Sequence, residues 1–379
     1  MSRIDELIKQ HCPQGVPMVK LGDIGTLERG NGLQKKDFTE DGIGCIHYGQ
    51  IYTRYNLFVY DTISHVNEDL GKRLLKVEKG NLVIACTSEN VEDVCKCVVW
   101  LGDETIVTGG HSVVYRHKED PKYIAYCFQT EGFKAQKRKY AFGAKVIDIR
   151  VEKLAQIVIP LPPLPVQQEI VRILDSFTDL QDNLQQELEA RKKQYEAYRE
   201  KLLSFNEIGG GTRKIGEFCE VLRGKRLTKD MLSDNEHYPV FHGGLEPLGY
   251  YSRNNREGDS VMVINVGASA GTIGYSPVDF WSSDGCYCLS KSNDVNSRFL
   301  YYALLGKEKL IKGKVRHAGI PTLDARVVAE ISVPIPPFEK QLEIVEILDV
   351  FDKTITNISD ELSARQKQYE YYREQLLTF

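Results

Sequence analysis

Residues 151–205 and 325–379 of this chain align without a gap at an offset of 174, and 28 of the 55 positions are identical. A repeat of that length obliges both copies to build the same unit, whatever the residues between them do. The shared landmarks include Pro160/Pro334, Pro162-Pro163/Pro336-Pro337 and Gln167/Gln341. Lys-Gln-Tyr-Glu-x-Tyr-Arg-Glu-x-Leu-Leu-x-Phe closes both copies, at 193–205 and 367–379. A weaker echo opens each half. Lys20-Leu21-Gly22-Asp23 resembles Lys214-Ile215-Gly216-Glu217, and Arg29-Gly30 or Arg223-Gly224 follows. Glycine turns lead into apolar runs at 79–84 and 257–262. Elsewhere the halves differ almost completely, so the order is variable block, shared segment, variable block, shared segment.

Each shared segment starts with a proline-rich stretch, 159–163 or 333–337. Proline restrains its own backbone and its predecessor's, which predicts a stiff extended connector. A heptad pattern follows. One core position holds Ile170, Phe177, Leu184, Arg191, Tyr198 and Phe205; the other holds Leu174, Gln181, Leu188, Tyr195 and Leu202. The second copy gives Ile344, Phe351, Ile358, Arg365, Tyr372 and Phe379, with Leu348, Ile355, Leu362, Tyr369 and Leu376. Five heptads of apolar or amphipathic residues predict a coiled coil, and the near-identical tips favour antiparallel packing of the two helices on each other. Two unrelated amphipathic helices on separate domains are the alternative. At 1.5 Å per residue a helix over 165–205 would be ~60 Å long.

The variable blocks read as mixed α/β. Runs at 82–86, 97–100, 112–115 and 260–266 predict strands, and 123–129 and 297–305 predict short helices. The fold class is therefore α+β: two pseudo-symmetric mixed α/β domains separated by two long helices that form an antiparallel coiled coil. Nine cysteines include Cys95/Cys97 and Cys286/Cys288 within apolar runs, where both members of a pair face one side of a strand. Neither pair has further ligands nearby, so buried reduced thiols are expected and no metal site is. The chain lacks a basic start followed by an apolar run and any apolar stretch of spanning length, which predicts a cytoplasmic protein.

Catalytic signatures are missing from the sequence. It holds no G-x-x-x-x-G-K-[ST] for ATP, and no Asn-Pro-Pro-Tyr or Asp-Pro-Pro-Tyr of the kind an adenine-N6 methyltransferase needs. The Pro-Pro pairs follow Leu or Ile, which offer no hydrogen-bond acceptor. Gly267, Gly271 and Gly274 fit a tight loop better than a phosphate motif. Asp148 with Glu152-Lys153 resembles a nuclease cluster only faintly, and the partner region from Asp324 lacks the Glu-Lys. His111 and His317 stand without a Ser, Cys or carboxylate at diagnostic spacing, so surface or hydrogen-bonded histidines are expected.

Net charge is −4, which argues mildly against nucleic-acid binding overall. Its distribution argues the other way. Lys134, Lys137, Arg138, Lys139 and Lys145 stand against Glu131 alone; Lys307, Lys309, Lys312, Lys314 and Arg316 stand against Glu308 alone. Both clusters precede the Gly143/Gly319 loops and Asp148/Asp324. They read either as solvated faces or as phosphate contacts, and phosphate contact supplies affinity without sequence information. Base reading needs hydrogen-bonding side chains on loops that reach a groove. The first block offers Arg29, Asn31, Gln34, Lys35, Tyr48, Gln50, Arg54, Ser88 and Asn90. The second offers Arg223, Lys225, Arg226, His242, Asn265, Ser269 and Thr272.

Over essentially its full length the chain resembles type I restriction–modification specificity subunits. The resemblance is carried by Lys-Leu-Gly-Asp-Ile at 20–24, by Ile-Val-Ile-Pro-Leu-Pro-Pro-Leu at 157–164 with Gln167 and Ile170, and by the repeated Tyr-Glu-x-Tyr-Arg tips. It implies target-recognition domains at 17–158 and 211–332 and spacer segments at 159–210 and 333–379; the amphipathic turn of Ile4, Leu7 and Ile8 before Pro13 further predicts a short helix in 1–16 that packs near the C-terminal helix end. It implies that each domain reads half of a split asymmetric site on double-stranded DNA. The helices would dock two adenine-N6 methyltransferase subunits, and motor–nuclease restriction subunits would join through them. The implied protein is not an enzyme and carries no cofactor, because S-adenosylmethionine, ATP and magnesium belong to the partners. Half-sites one helical turn apart lie ~34–36 Å from centre to centre, within reach of a ~60 Å spacer. A stand-alone DNA-binding regulator or a pure scaffold without a methyltransferase partner is the alternative.

Overall fold

In the computed structural model, residues 3–204 and 211–379 are described. The chain divides into two compact units, Met1–Asn183 with Leu362–Phe379, and Leu184–Glu361.

The core of the first unit is a five-stranded sheet in the order Gly25–Arg29, Ser112–His117, Leu82–Ala85, Cys97–Trp100, Phe58–Val59. Leu82–Ala85 and Cys97–Trp100 are unbroken apolar runs because both faces are covered. The helices Pro121–Cys127 and Glu131–Tyr140 lie on one side. Val83, Val98 and Trp100 pack on the other with Ile46, Val77 and Ile106 of a second, four-stranded sheet. Helix Pro121–Cys127 starts where the sequence stops it unravelling. Asp120 accepts from the amides of Lys122 and Tyr123, and proline takes the first turn.

The second unit repeats this plan with fewer strands. Its sheet runs Val221–Arg223, Cys286–Leu289, Ser260–Ile264, Ile273–Ser276, beside a three-stranded sheet and the helix Ser297–Leu305. Asn296 caps that helix through the amide of Phe299.

The proline-rich connectors are not free extended chain. Val158–Pro160 pairs antiparallel with Met18–Lys20, and Ser332–Ile335 with Gly211–Lys214. Each variable block thus begins and ends in one two-stranded ribbon. The long helices Leu164–Leu202 and Phe338–Leu377 follow. In each unit the N-terminal half of one helix lies beside the C-terminal half of the other, the antiparallel order the heptads predict. Phe177 stacks on Tyr372 at 5.4 Å in the first unit, and Tyr198 meets Phe351 at 5.3 Å in the second.

The heptad residues do not all serve the helix pair. Ile170 and Leu174 join the core of the first domain, and Ile344 and Leu348 that of the second. Leu188 and Tyr369 are buried, whereas Leu184, Tyr195, Leu202, Ile355, Leu362 and Leu376 are partly exposed. Leu377, one residue past the heptad position, is the buried leucine at the second tip. Phe205 lies outside the described residues. Ile4, Leu7 and Ile8 of the helix Arg3–His11 belong to the same cluster as Leu376 and Leu377.

Two glutamines fasten the helices to their domains. Gln167 accepts from the Asp120 amide at 3.0 Å and donates to the Pro162 carbonyl at 2.7 Å. Gln341 accepts from the Asn296 amide at 2.8 Å and donates to the Pro336 carbonyl at 2.9 Å. Two turns further on, Asp175 takes Lys122 and the Tyr126 hydroxyl, and Asp349 takes Arg298 and the Tyr302 hydroxyl. No helix among the described residues is long and apolar enough to cross a membrane. The nine cysteines are buried and unpaired, and burial pushes the thiols of Cys95 and Cys286 up to about 12.

Candidate nucleic-acid interface

The first domain gathers a polar cluster at one sheet edge. Arg29 grips Asp148 with two nitrogens, at 3.2 and 2.7 Å. The Thr87 hydroxyl donates to Asp148 at 3.0 Å and lies 2.9 Å from His111 Nδ1. The Tyr48 ring stands 5.0 Å from the His111 ring, and the Tyr52 hydroxyl donates to the Thr87 carbonyl. The Asp148 carboxylate raises the pKa of the Arg29 guanidinium further above its ordinary value. Arg29 keeps 37% of its side chain exposed, enough to reach a ligand from a fixed position. Asn31, Gln34, Lys35 and Arg54 lie exposed in the same domain.

Three of the expected base readers are otherwise engaged. Gln50 accepts from the His47 amide and donates to Ser64. Ser88 is buried and accepts from the Asn90 amide. Asn90 bonds Asp93 through both ends of its carboxamide.

In the second domain His242 Nδ1 lies 3.2 Å from Asp284, and the Asn265 side-chain amide donates to the Asp284 carbonyl at 3.2 Å. The Asn265 carboxamide oxygen is buried without a partner. Arg223 ends the strand Val221–Arg223, Lys225 and Arg226 follow it, and all three are exposed. Ser269 and Thr272 share one tight turn, Thr272 N to Ser269 O at 3.0 Å.

The basic clusters divide into free and engaged cations. Arg138, Lys139 and Lys145 do not form ion pairs, nor do Lys309, Lys314 and Arg316, among the described residues. Lys134 pairs with Glu131 at 2.8 Å and Lys312 with Glu308 at 2.6 Å. Lys137 departs from the phosphate role expected of it. It is 6% exposed and donates to the carbonyls of Glu92 and Val94, both at 2.7 Å. Burial lowers its pKa. The charge count could not reveal that Lys137 shares the inner face of its helix with Phe133.

Asp148 and Asp324 are not equivalent. Asp148 takes the place of Thr322, since Phe142 bridges Asp148 as Arg316 bridges Thr322. Asp324 instead caps the helix Ala325–Ala329, the place Arg150 holds before Val151–Leu154. Arg150 and Asp284 carry no signal in the sequence. The left-handed backbone of His111, φ 69°, accompanies its place in the cluster but is invisible in a sequence.

The sequence model of the family described as "Type I restriction modification DNA specificity domain" matches residues 13–190 and 209–364. The chain belongs to this family. Among type I specificity proteins it is 32% identical to the Mycoplasma pneumoniae protein S.MpnORF201P over 243 residues, covering 60% of this chain and 98% of that one. It is 28% identical to the EcoR124I/EcoR124II specificity subunit of Escherichia coli over 255 residues, 59% of this chain and 63% of that one. The crystal structure of a type I S subunit from M. genitalium superposes with a TM-score of 0.69 at 20% identity, over 97% of both chains. The specificity fold thus extends over nearly the whole chain, and the two family matches take in both polar clusters.

Proposed function

We propose that this chain is the non-catalytic, DNA-reading subunit of a type I restriction–modification complex. Its two domains read the two halves of one split, asymmetric site on double-stranded DNA. Its long helices dock two adenine-N6 methyltransferase subunits and set the gap, and restriction subunits join through the assembled methyltransferase. S-adenosylmethionine, ATP and magnesium act in those partners, and the complex works in the cytoplasm.

The repeated glutamine clamp carries this reading. Gln167 and Gln341 fix two dissimilar domains to two helices of one repeat by the same hydrogen bonds. That is what two independent readers on a common frame require. The repeated tips also keep aromatic surface in water, with Tyr198 44% and Tyr372 40% exposed. A partner present in two copies would meet the same surface twice. Arg29 and Arg223 begin equivalent loops, and an arginine held by a carboxylate, as Arg29 is, suits bidentate contact with guanine.

Co-expression with a type I adenine-N6 methyltransferase from the same genome, followed by methylome sequencing, tests the proposal. One motif of two defined halves separated by a fixed gap is the expected result. An uninterrupted motif, or methylation by the purified chain alone, would overturn it.

A further inference from the structure

Two loops, 142–148 and 316–322, hold the same place in the two reading domains. Each is closed by a two-hydrogen-bond bridge: Phe142 with Asp148 at 3.0 and 2.8 Å, Arg316 with Thr322 at 2.9 and 3.0 Å. Each is welded at its base to a strand of the domain core or its extension. Asp148 ladders with Thr87, and Thr322 bridges Val266 while the Gly267 amide bonds the Pro321 carbonyl. The bases are therefore stiff.

The tips are apolar. Val146 is 57% and Ile320 71% exposed, and the two stand 174 residues apart, at equivalent positions of otherwise dissimilar loops. Around them lie the exposed cations Lys145, Arg150, Lys314 and Arg316, and among the described residues none of these four is held in an ion pair. The cations suffice for phosphate, and contact with phosphate gives no reason to hold a valine or an isoleucine out in water, since neither brings a side-chain donor. An aliphatic tip within a basic rim fits a surface that is anionic at its edges and carries apolar groups on its floor, and the major groove, with phosphates at its rims and thymine methyls among its base edges, is such a surface. In the major groove the thymine methyl is the group an aliphatic side chain can detect. If the partner methylates adenine, every half-site holds at least one A·T pair, so that methyl is available in both.

The geometry points to Val146 and Ile320 as base-reading residues, each entering the major groove of its own half-site and contacting a thymine methyl, with the flanking cations on phosphate. This inference rests on the DNA-reading role proposed above.

The test uses the full chain assembled with its methyltransferase, and labelled duplexes carrying either the motif found by methylome sequencing or a random sequence. V146S and I320S remove the aliphatic tip without touching the loop bridges. Each should weaken binding to the motif duplex about tenfold, the size of one base mismatch, and leave the random duplex and the salt slope unchanged. Deoxyuridine in place of thymine in one half-site should erase the difference between wild type and one of the two variants only. Unchanged motif affinity, equal weakening on both duplexes, or release of methyltransferase from the complex would overturn the inference. The last of these would mark the tips as a protein-binding surface. A wild-type assembly with no sequence preference would overturn the DNA-reading role itself, and this inference with it.

Discussion

Gln341 occupies on the second long helix the position that Gln167 occupies on the first, and both side chains are fully buried with their carboxamides bonded at both ends. Gln341→Ala would strand the Asn296 amide and the Pro336 carbonyl. Unsatisfied buried groups cost ~1–3 kcal/mol each, so the second unit should become less stable by about 2–6 kcal/mol. Trp281 lies in that unit, and its fluorescence during urea unfolding of a Trp100→Phe background reads the change. A shift below ~0.5 kcal/mol, the range of ordinary surface substitutions, would show that the clamp is not what fastens the domain.

Neutralising Arg138, Lys139 and Lys145 together should weaken binding equally on specific and random DNA. The slope of log affinity against log salt should fall by ~0.9 for each phosphate no longer neutralised. Lys137→Met should behave differently. Its ammonium satisfies the carbonyls of Glu92 and Val94, so thermal stability should drop while the salt slope holds. Changed specificity with an unchanged slope in the triple variant would mean that these cations read bases.

His117 sets a pH dependence. Both ring nitrogens are buried without partners, and burial lowers its pKa to about 4. Above the unfolded value of ~6.5 neither state holds the proton and the contribution to stability is fully present. As pH falls from ~6.5 towards 4 the unfolded chain takes up the proton first, so stability is lost across that window, by at most ~3 kcal/mol. His117→Gln should flatten the pH dependence of the first unit's unfolding midpoint between pH 7 and pH 5. An unaltered dependence would place its origin elsewhere.

Exchange of residues 212–324 for the corresponding block of a related subunit should change one half-site and leave the other intact. The block starts within one strand of its two-stranded ribbon and ends at the cap of the helix Ala325–Ala329, and it brings most of its core with it, packing on Val328, Ile331, Val333, Ile344 and Leu348 of the shared segment. A methylome in which both halves change would contradict independent readers.

The helices should also act as a ruler. One heptad added after Leu184 and one after Ile358 lengthens each helix by ~10 Å. That distance corresponds to ~3 base pairs at ~3.4 Å each. Three base pairs also turn the half-site by more than a quarter of a revolution, since a full turn takes ~10, so affinity should fall. Any motif that survives should keep both half-sequences with a wider gap. Methylome sequencing checks this, and an unchanged gap at full activity would remove the helices from that role.

Much of the fold was legible because it is written in local pattern. Cys97–Trp100 and Ser297–Leu305 appear at the predicted bounds, the first an apolar run and the second behind an asparagine cap. Gln167 and Gln341 stand out in the sequence as repeat landmarks, and their shared hydrogen bonds explain why. What escaped depends on partners far away in sequence. Pro160 reads as a connector because proline weakens a ladder, yet Met18 pairs with it from 142 positions upstream at the sheet edge, where proline is tolerated. Lys137 reads as one cation in a run, and only the carbonyls of Glu92 and Val94 give it a different task. The polar cluster of the first domain joins Arg29, Thr87, His111 and Asp148 across 119 residues, beyond the reach of any spacing rule.

The two-stranded ribbon that opens and closes each reading block has an evolutionary consequence. Met18–Lys20 lies against Val158–Pro160, and Gly211–Lys214 against Ser332–Ile335, so each block begins and ends at neighbouring points in space. A gene segment bounded there can be traded between related genes by recombination, and the incoming domain arrives with its ends already in the positions the helix needs. In the complex proposed above, one genetic event would then change the sequence preference while the helix surfaces stay as they were.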